Sequence, residues 1–202
     1  MSLELRTVRL DRPLTETEDA ALTALLPPAR AERLAHVRPE ARQEPLCAYA
    51  LLALALRERF GWREIPEIAL AEGGKPIFPR HPDLHFNLSH TRGAVLAGLA
   101  GSPVGVDVER IRPIRPRTGE LLGLPEAGED FFRGWVRREA RAKRTGTEVG
   151  GALRREPPPV PEEAYHPLDL FPGYAAGAAC SAGETLAPLR RHPLEELLEG
   201  LL

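Results

Sequence analysis

The chain has 202 residues, of which 43% are hydrophobic, which is enough for one sizeable core or two small packed halves. Its charged residues nearly cancel to a formal net charge of -2, so no overall field draws it to nucleic acid or to a membrane. The first residues are charged, and the longest uncharged apolar run, 45–56, is shorter than the roughly 20 residues of a membrane-spanning helix. We therefore expect a cytoplasmic globular protein, with buried, reduced thiols at Cys47 and Cys180.

The periodicity of apolar residues predicts the elements in chain order. Alternation predicts strands, and recurrence at three and four residues predicts helices. The predicted strands are 3–10, a short one within 65–78, 84–89, 94–100, 104–110 and 170–180, and the predicted helices lie in 15–37, 39–61 and 131–144. Residues 110–130 have no period and indicate a linker or surface loop, and 154–163 are too proline-rich for either element. This order favours an α+β protein over a doubly wound parallel sheet.

Two carboxylates share one face of the predicted strand "VGVDVER". Because side chains alternate along a strand, the three valines face one way and Asp107 and Glu109 face the other. Adjacent like charges repel each other unless a cation or water relieves them. Mg²⁺ prefers such oxygen ligands and often shares its shell with phosphate oxygens. A solvated acidic face explains the same pattern without a metal.

The helix "WVRREARAKR" is strongly basic. Six Arg or Lys lie between Arg133 and Arg144, with Glu139 as the only acid, and Glu139 and Lys143 share a face because they are four residues apart. Glu139 is therefore a candidate third metal ligand, and its basic neighbours are candidate phosphate ligands. A solvated basic face and a nucleic-acid contact are alternatives. Aromatic residues are only 5% of the chain, which gives little support to a nucleic-acid interface.

Three further polar residues flank these segments. Ser89 and His90 end a predicted strand in "HFNLSHTRG", and Lys75 follows two glycines in a predicted turn. Each alone is explained as a turn or surface residue. Together they supply a hydroxyl, an imidazole and an ammonium group, which suit a multiply phosphorylated ligand with a metal on its pyrophosphate.

Four segments in order, "GGKPIF", "FNLSHTRG", "VGVDVER" and "WVRREARAK", resemble the motif series of the Sfp-type 4'-phosphopantetheinyl transferases. That series is G-K-P, [FW]-N-x-S-H-x-x-G, [VI]-G-[VI]-D-x-E and W-x-x-K-E-x-x-x-K. The resemblance implies two similar α+β halves related by a pseudo-twofold, residues 1–109 and 110–202, with the active site in the cleft between them.

The resemblance also implies roles for individual residues. The implied Mg²⁺ ligands are Asp107, Glu109 and Glu139. Glu139 and Lys143 are the implied catalytic residues, and Ser89, His90 and Lys75 are implied contacts to coenzyme A. The residues that hold the 3'-phosphate are not fixed by a motif, so Arg33, Arg38 and Arg42 are candidates for that contact.

The implied reaction is Mg²⁺-dependent transfer of 4'-phosphopantetheine from coenzyme A to a serine of an apo acyl or peptidyl carrier protein, with release of adenosine 3',5'-bisphosphate. Glu139 or a metal-bound water is the candidate general base. The expected partner is an acidic carrier domain, with no nucleic acid or membrane partner, and a monomer is expected. A metal-dependent phosphohydrolase that uses the same carboxylates and a nucleic-acid-binding module are the alternative functions.

Two features depart from the family pattern. Arg138 stands where the family has lysine before the helix glutamate, which keeps the charge but changes the donor geometry. The family's F-[ST]-x-x-E motif is absent between Glu109 and Trp135, where the segment is too short for the family's extra helix. We therefore expect a smaller or differently shaped surface for carrier docking.

Overall fold

The computed structural model describes residues 2–126, 128–147, 157–158 and 160–202. Helices and strands are mixed along the chain, which confirms the α+β prediction. The strands are β1 (Glu4–Arg9), β2 (Ala69–Leu70), β3 (Pro76–Ile77), β4 (His85–Thr91), β5 (Ala94–Ala100), β6 (Gly105–Arg110), β7 (Glu163–Leu168), β8 (Tyr174–Ser181) and β9 (Arg190–His192). The helices are α1 (Glu16–Ala24), α2 (Pro28–Ala35), α3 (Pro39–Phe60), α4 (Thr118–Leu122), α5 (Gly128–Thr145) and α6 (Leu194–Glu199), with a 3₁₀ turn at Glu72–Gly74.

The first sheet has the strand order β4-β5-β1-β9. Its central strand β5 is buried on both faces, which explains its continuous apolar sequence. Val95, Ala97 and Leu99 join the core that contains the apolar residues of α3 and α6. The alternate residues of β5 join a second core with the valines of β6. The first sheet therefore lies between α3 and the second sheet.

The second sheet is antiparallel with the order β6-β8-β7, and α5 packs against β6 and β8. As predicted, Val104, Val106 and Val108 are all buried on one side of β6. The predicted apolar side of α5 is also confirmed, because Phe132, Val136 and Ala140 are buried and Trp135 is partly buried. The other face of β6 therefore points towards α5.

Strand pairing crosses the expected boundary between residues 109 and 110 in both directions. All of β6 except Arg110 precedes the boundary, but the strand pairs with β8 in the second sheet. β9 follows it but pairs in parallel with β1, and α6 packs into the first core. The division into halves and the pseudo-twofold relation stay predictions.

Several predicted elements differ from the structure. Residues 15–37 form two helices, because Pro28 lacks the backbone N–H that would continue α1 and instead starts α2 at its first position. Residues 110–130 contain the short helix α4, and α5 begins before Phe131. Strands β7 and β9 and helix α6 were not predicted. In the proline-rich stretch 154–163, residues 154–156 and 159 lie outside the described residues, and Glu163 at its end begins β7.

Both cysteines are buried and unpaired, which confirms the prediction of reduced, buried thiols. In the part of the chain that the structure describes, no helix combines the length and the apolar sequence needed to cross a membrane.

Candidate active site

Polar side chains of β4 bind the backbone of β6. The Val106 N–H donates to Asn87 Oδ1 at 2.8 Å, and the Val108 N–H donates to Ser89 Oγ at 3.2 Å. Asn87 and Ser89 are both buried. The two acceptors are two residues apart on β4, and the two donors are two residues apart on β6. Alternate side chains of β4 therefore meet alternate N–H groups of β6. The polar residues within the apolar strand "HFNLSH" therefore fix the position of β6.

Gly105 allows α5 to lie directly on β6. A Cβ atom at this position would be 2.0 Å from the Ala140 carbonyl oxygen and 2.3 Å from the Arg144 nitrogen, both on the backbone of α5. Gly105 lies on the same face of β6 as Asp107, two residues away. The absence of a side chain at Gly105 thus brings the carboxyl-terminal half of α5 onto Asp107. The sequence contained this signal as the glycine of "VGVDVER", but the contact needs α5, which lies far along the chain.

Lys143 joins the carboxylates of β6 and α5. Its Nζ lies 2.6 Å from Asp107 Oδ1, 3.1 Å from Ser89 Oγ and 3.4 Å from Glu139 Oε2. Ser89 also donates its hydroxyl to Asp107 Oδ1 at 2.8 Å. We call Asp107, Glu139 and Lys143 the central cluster. Asp107 is only 2% exposed, so a solvated acidic face does not describe this strand.

Burial and charge shift the pKa values of the central cluster. Burial and the nearby Asp107 carboxylate raise the pKa of Glu139 to about 7, although Lys143 opposes the rise. Burial would lower the pKa of Lys143, but Asp107 and Glu139 more than offset this and raise it. Lys143 therefore stays charged near neutral pH, while Glu139 takes part in proton exchange there. A carboxylic acid that titrates near pH 7 is suited to general acid–base chemistry.

The arrangement of the predicted metal ligands Asp107, Glu109 and Glu139 suits a bound cation in some respects and not in others. Asp107 Oδ2 is buried and has no hydrogen-bond partner, and Glu109 adds to the repulsion that raises the Glu139 pKa. A cation beside these carboxylates would relieve both effects. Glu109, however, pairs with Arg112 at 2.8 Å, and Lys143 lies between Asp107 and Glu139. Among the described residues, no three His, Cys, Asp or Glu side chains stand together as a ready ligand set.

A cavity of about 520 Å³ opens beside the central cluster, where α2, α3, the Gly73–Lys75 turn, β4 and the end of α5 meet. We call it the first cavity. Five of its lining residues are basic or can become so: Arg30, Arg33, Lys75, His90 and, from the central cluster, Lys143. Lys75 and Lys143 are the two lysines of the whole chain, whose other basic residues are arginines and histidines. Tyr49 contributes an aromatic ring to the cavity wall, and Asn87 contributes an amide group.

Lys75 fastens the glycine turn to α5. Its Nζ donates to the Arg144 carbonyl at 2.6 Å and to the Val104 carbonyl at 2.9 Å. Burial, with a smaller contribution from Arg144, lowers the Lys75 pKa to about 8. Lys75 thus lines the first cavity while it also holds the carboxyl-terminal end of the helix that carries Lys143.

The remaining predicted cofactor contacts lie at different depths. His90 lies in the cavity wall, and partial burial of its ring lowers its pKa, so the imidazole is neutral near pH 7. Arg33 also lines the cavity, whereas Arg42 pairs with Asp19 at 2.6 Å and Arg38 is exposed outside the lining residues. Arg30 and Tyr49 were not predicted, because periodicity alone does not show which face of α2 and α3 borders a cavity.

The basic helix presents few of its charges to solvent. Arg138, Arg141 and Arg144 are buried, and Arg141 and Arg144 both contact Glu163. Arg138 donates to the carbonyls of Leu122 and Gly123 at 2.5 and 3.0 Å, at the end of α4. The residue that departs from the family motif therefore holds the short helix that fills the 110–130 segment. The buried arginines leave no continuous basic face of the kind that nucleic acid would need.

A second cavity, of about 690 Å³, borders the amino-terminal half of α5. Its wall includes Arg133 and Arg137 of α5, Leu124 of the segment after α4, and Tyr165 of β7. The first cavity reaches α5 at Lys143, and the second reaches it at Arg137 and Arg138. Glu139 lies between these two contact points along the helix.

The central cluster joins two carboxylates and an ammonium group beside a cavity with basic side chains, and the chain was compared with known proteins. No family model matches the chain. It is similar to the 4'-phosphopantetheinyl transferase Sfp of Bacillus subtilis strain 168, with 25% identity over 153 residues, 69% of this chain and 68% of Sfp. It is 35% identical to psf-1 of Bacillus pumilus over 92 residues, 40% of each chain, and 35% identical to AcpT of Escherichia coli K12 over 97 residues, 41% of this chain and 50% of AcpT.

Together these similarities support the prediction from the motifs that the chain is a transferase of the Sfp-type 4'-phosphopantetheinyl transferase family. The chain spans about two thirds of Sfp and half or less of psf-1 and AcpT.

Proposed function

We propose that this protein transfers 4'-phosphopantetheine from coenzyme A to a serine of an apo carrier protein. The observation that carries the proposal is the central cluster, in which Asp107, Glu139 and Lys143 meet at the wall of a cavity with basic side chains. The relatives are named for the group that they transfer, 4'-phosphopantetheine. A hydrolase or a nucleic-acid module finds no support among these relatives.

In this proposal the first cavity holds the nucleotide end of coenzyme A. Arg33 and Lys75 offer positive charge to its phosphates, and neutral His90 offers a ring N–H. Arg30 in the same wall is a further phosphate ligand. Ser89 supports the site from beneath, because its buried hydroxyl is already bonded to Asp107 and to Val108. Lys143 connects the cavity to the carboxylates and faces the pyrophosphate.

The reaction exchanges a phosphoanhydride bond of coenzyme A for a phosphoester bond to the carrier serine. The serine oxygen of the carrier forms a bond to the β-phosphorus of coenzyme A, and the bond from that phosphorus to the bridging oxygen breaks. The pantetheinyl phosphate stays on the serine, and adenosine 3',5'-bisphosphate leaves. Glu139 accepts the serine proton, because a pKa of about 7 leaves it partly ionised at neutral pH. Lys143 stabilises the negative charge that develops on the phosphoryl oxygens.

Asp107 and Glu139, with Glu109 once it leaves Arg112, are the residues that would hold Mg²⁺. Bound there, Mg²⁺ supplies positive charge to the pyrophosphate oxygens. The acceptor in this proposal is an acidic acyl or peptidyl carrier domain. Arg133 and Arg137 are the exposed basic residues of α5 that it would meet.

A mass spectrum of an apo carrier protein, taken after incubation with coenzyme A, Mg²⁺ and this protein, tests the proposal. We expect a mass increase of one phosphopantetheinyl group, and none on a carrier whose acceptor serine is replaced by alanine. Asp107→Ala should lower kcat/KM by at least about 100-fold, the scale on which loss of one electrostatic group in a transition state falls. Release of phosphopantetheine without carrier modification would instead identify a hydrolase.

A further inference from the structure

Tyr165 occupies the space that a side chain at Gly177 would fill. A Cβ atom at Gly177 would lie 2.2 Å from the Tyr165 hydroxyl oxygen and 2.6 to 2.7 Å from ring carbons. Tyr165 pairs with Ala179, two residues beyond Gly177, so all three lie on the same face of the second sheet. The Tyr165 hydroxyl therefore packs directly on Gly177, the glycine of "YAAGAAC".

The position of the Tyr165 hydroxyl over Gly177 is next to the central cluster. Gly177 is the direct cross-strand partner of Asp107 in the pairing of β6 with β8. Side chains at such paired positions stand only about 4.5–5.5 Å apart at their Cβ atoms. Because the Tyr165 hydroxyl takes the place of the missing side chain at Gly177, it lies across the strand pair from Asp107, whose charge acts on it.

The Tyr165 hydroxyl is a donor with no partner in the described part of the chain. Burial, helped by the Asp107 charge, raises its pKa to about 12, so it keeps its proton throughout the working pH range. Tyr165 also lines the second cavity, together with Arg133 and Arg137 of α5. A protonated hydroxyl therefore lies beside the central cluster and in the wall of the second cavity.

We propose that Tyr165 is a further substrate-contacting residue, whose hydroxyl donates a hydrogen bond to the phosphoryl group at the central cluster, with Gly177 as the position that admits it. This inference rests on the proposed function. The proposal also gives the second cavity a role. The acceptor serine and the pantetheinyl arm approach the phosphorus from the second cavity, while the nucleotide end of coenzyme A occupies the first cavity.

Tyr165→Phe tests the proposal, because it removes the hydroxyl and keeps the ring. We expect kcat/KM for coenzyme A to fall at least about tenfold, since loss of one transition-state donor has effects of that size or larger. The thermal midpoint should stay unchanged, because the hydroxyl has no partner in the described protein to lose. Tyr174→Phe is the matched comparison: Tyr174 lines the same cavity, but its hydroxyl already donates to the Arg92 carbonyl at 3.0 Å and so is not offered to the phosphoryl group.

Gly177→Ala provides a second variant, because its methyl group would displace the Tyr165 hydroxyl although Tyr165 itself is unchanged. We expect the same loss of kcat/KM as in Tyr165→Phe, and no further loss in the double variant. A Tyr165→Phe value within threefold of Tyr174→Phe would overturn the proposal. Wild-type protein that modifies no carrier at all would instead overturn the proposed function, so the two failures are distinguishable.

Discussion

The two lysines of the chain share one cavity wall but have opposite pKa shifts. Both are buried, which favours the neutral amine. Lys75 donates to two backbone carbonyls and feels the charge of Arg144, so its pKa falls to about 8. Lys143 faces Asp107 and Glu139, so its pKa rises. One amine therefore loses its proton just above neutral pH, and the other retains it.

This difference can be measured directly, because ¹³Cε-lysine labelling marks only Lys75 and Lys143. We expect one ε-carbon resonance to titrate near pH 8 and the other to titrate above the ordinary lysine pKa of about 10.5. Lys75→Arg should remove the resonance that titrates near pH 8 and leave the second. Two titrations near pH 10.5 would contradict the buried contacts of both amines.

At the scale of elements, the packing of α5 on β6 controls the geometry of the site. Gly105→Ala would place a methyl group against the backbone of α5, which cannot rotate away as a side chain can. We expect a loss of roughly 1–3 kcal/mol in the free energy of unfolding, the usual cost of overpacking. We also expect a larger loss of activity, because Glu139 and Lys143 move with the helix.

Gly183→Ala is the control for this substitution, because a Cβ atom at Gly183 meets nothing within 4 Å. Denaturant unfolding and the carrier assay measure the two effects. Equal stability of the two alanine variants would show that α5 does not approach β6 this closely.

The sequence predicted the elements and residues whose signal is local. Alternation within β6 placed Asp107 and Glu109 opposite the valines, because a strand has the same period wherever it lies. Short elements that are held by distant contacts gave no such signal. Strand β9 has only three residues and is held by its pairing with β1, and helix α4 has only five residues and is held by the hydrogen bond from Arg138 to the Leu122 carbonyl. Arg42 also differs from the expectation for a phosphate contact, because its partner Asp19 belongs to another helix.

At the scale of the whole molecule, the carboxyl-terminal residues complete the first core. After the second sheet the chain returns to the first, where β9 pairs with β1 and α6 buries Leu194, Leu197 and Leu198. The last helix therefore supports the sheet that carries Ser89 and His90, although it lies far from them in sequence. We expect the stability of the whole protein to depend on it.

Leu197→Ala tests this dependence, because Leu197 is fully buried in α6. We expect the free energy of unfolding to fall by about 2–5 kcal/mol, the usual range for a buried Leu→Ala change. Leu202→Ala, at a residue that is 62% exposed, should change it by less than about 0.5 kcal/mol. Chemical denaturation of both variants provides the comparison, and equal midpoints would mean that α6 is not part of the core.

The bonds from Asn87 and Ser89 to β6 have a consequence for stability. One edge of β6 pairs with β8, while its other edge receives hydrogen bonds from these two side chains rather than from a strand. Asn87 and Val106 are both buried, so Asn87→Ala would leave the Val106 N–H without an acceptor. We expect the free energy of unfolding to fall by roughly 1–3 kcal/mol, the usual cost of an unsatisfied buried donor, and an unchanged denaturation midpoint would mean that water reaches this strand. The two polar side chains thus do for β6 what a neighbouring strand would otherwise do.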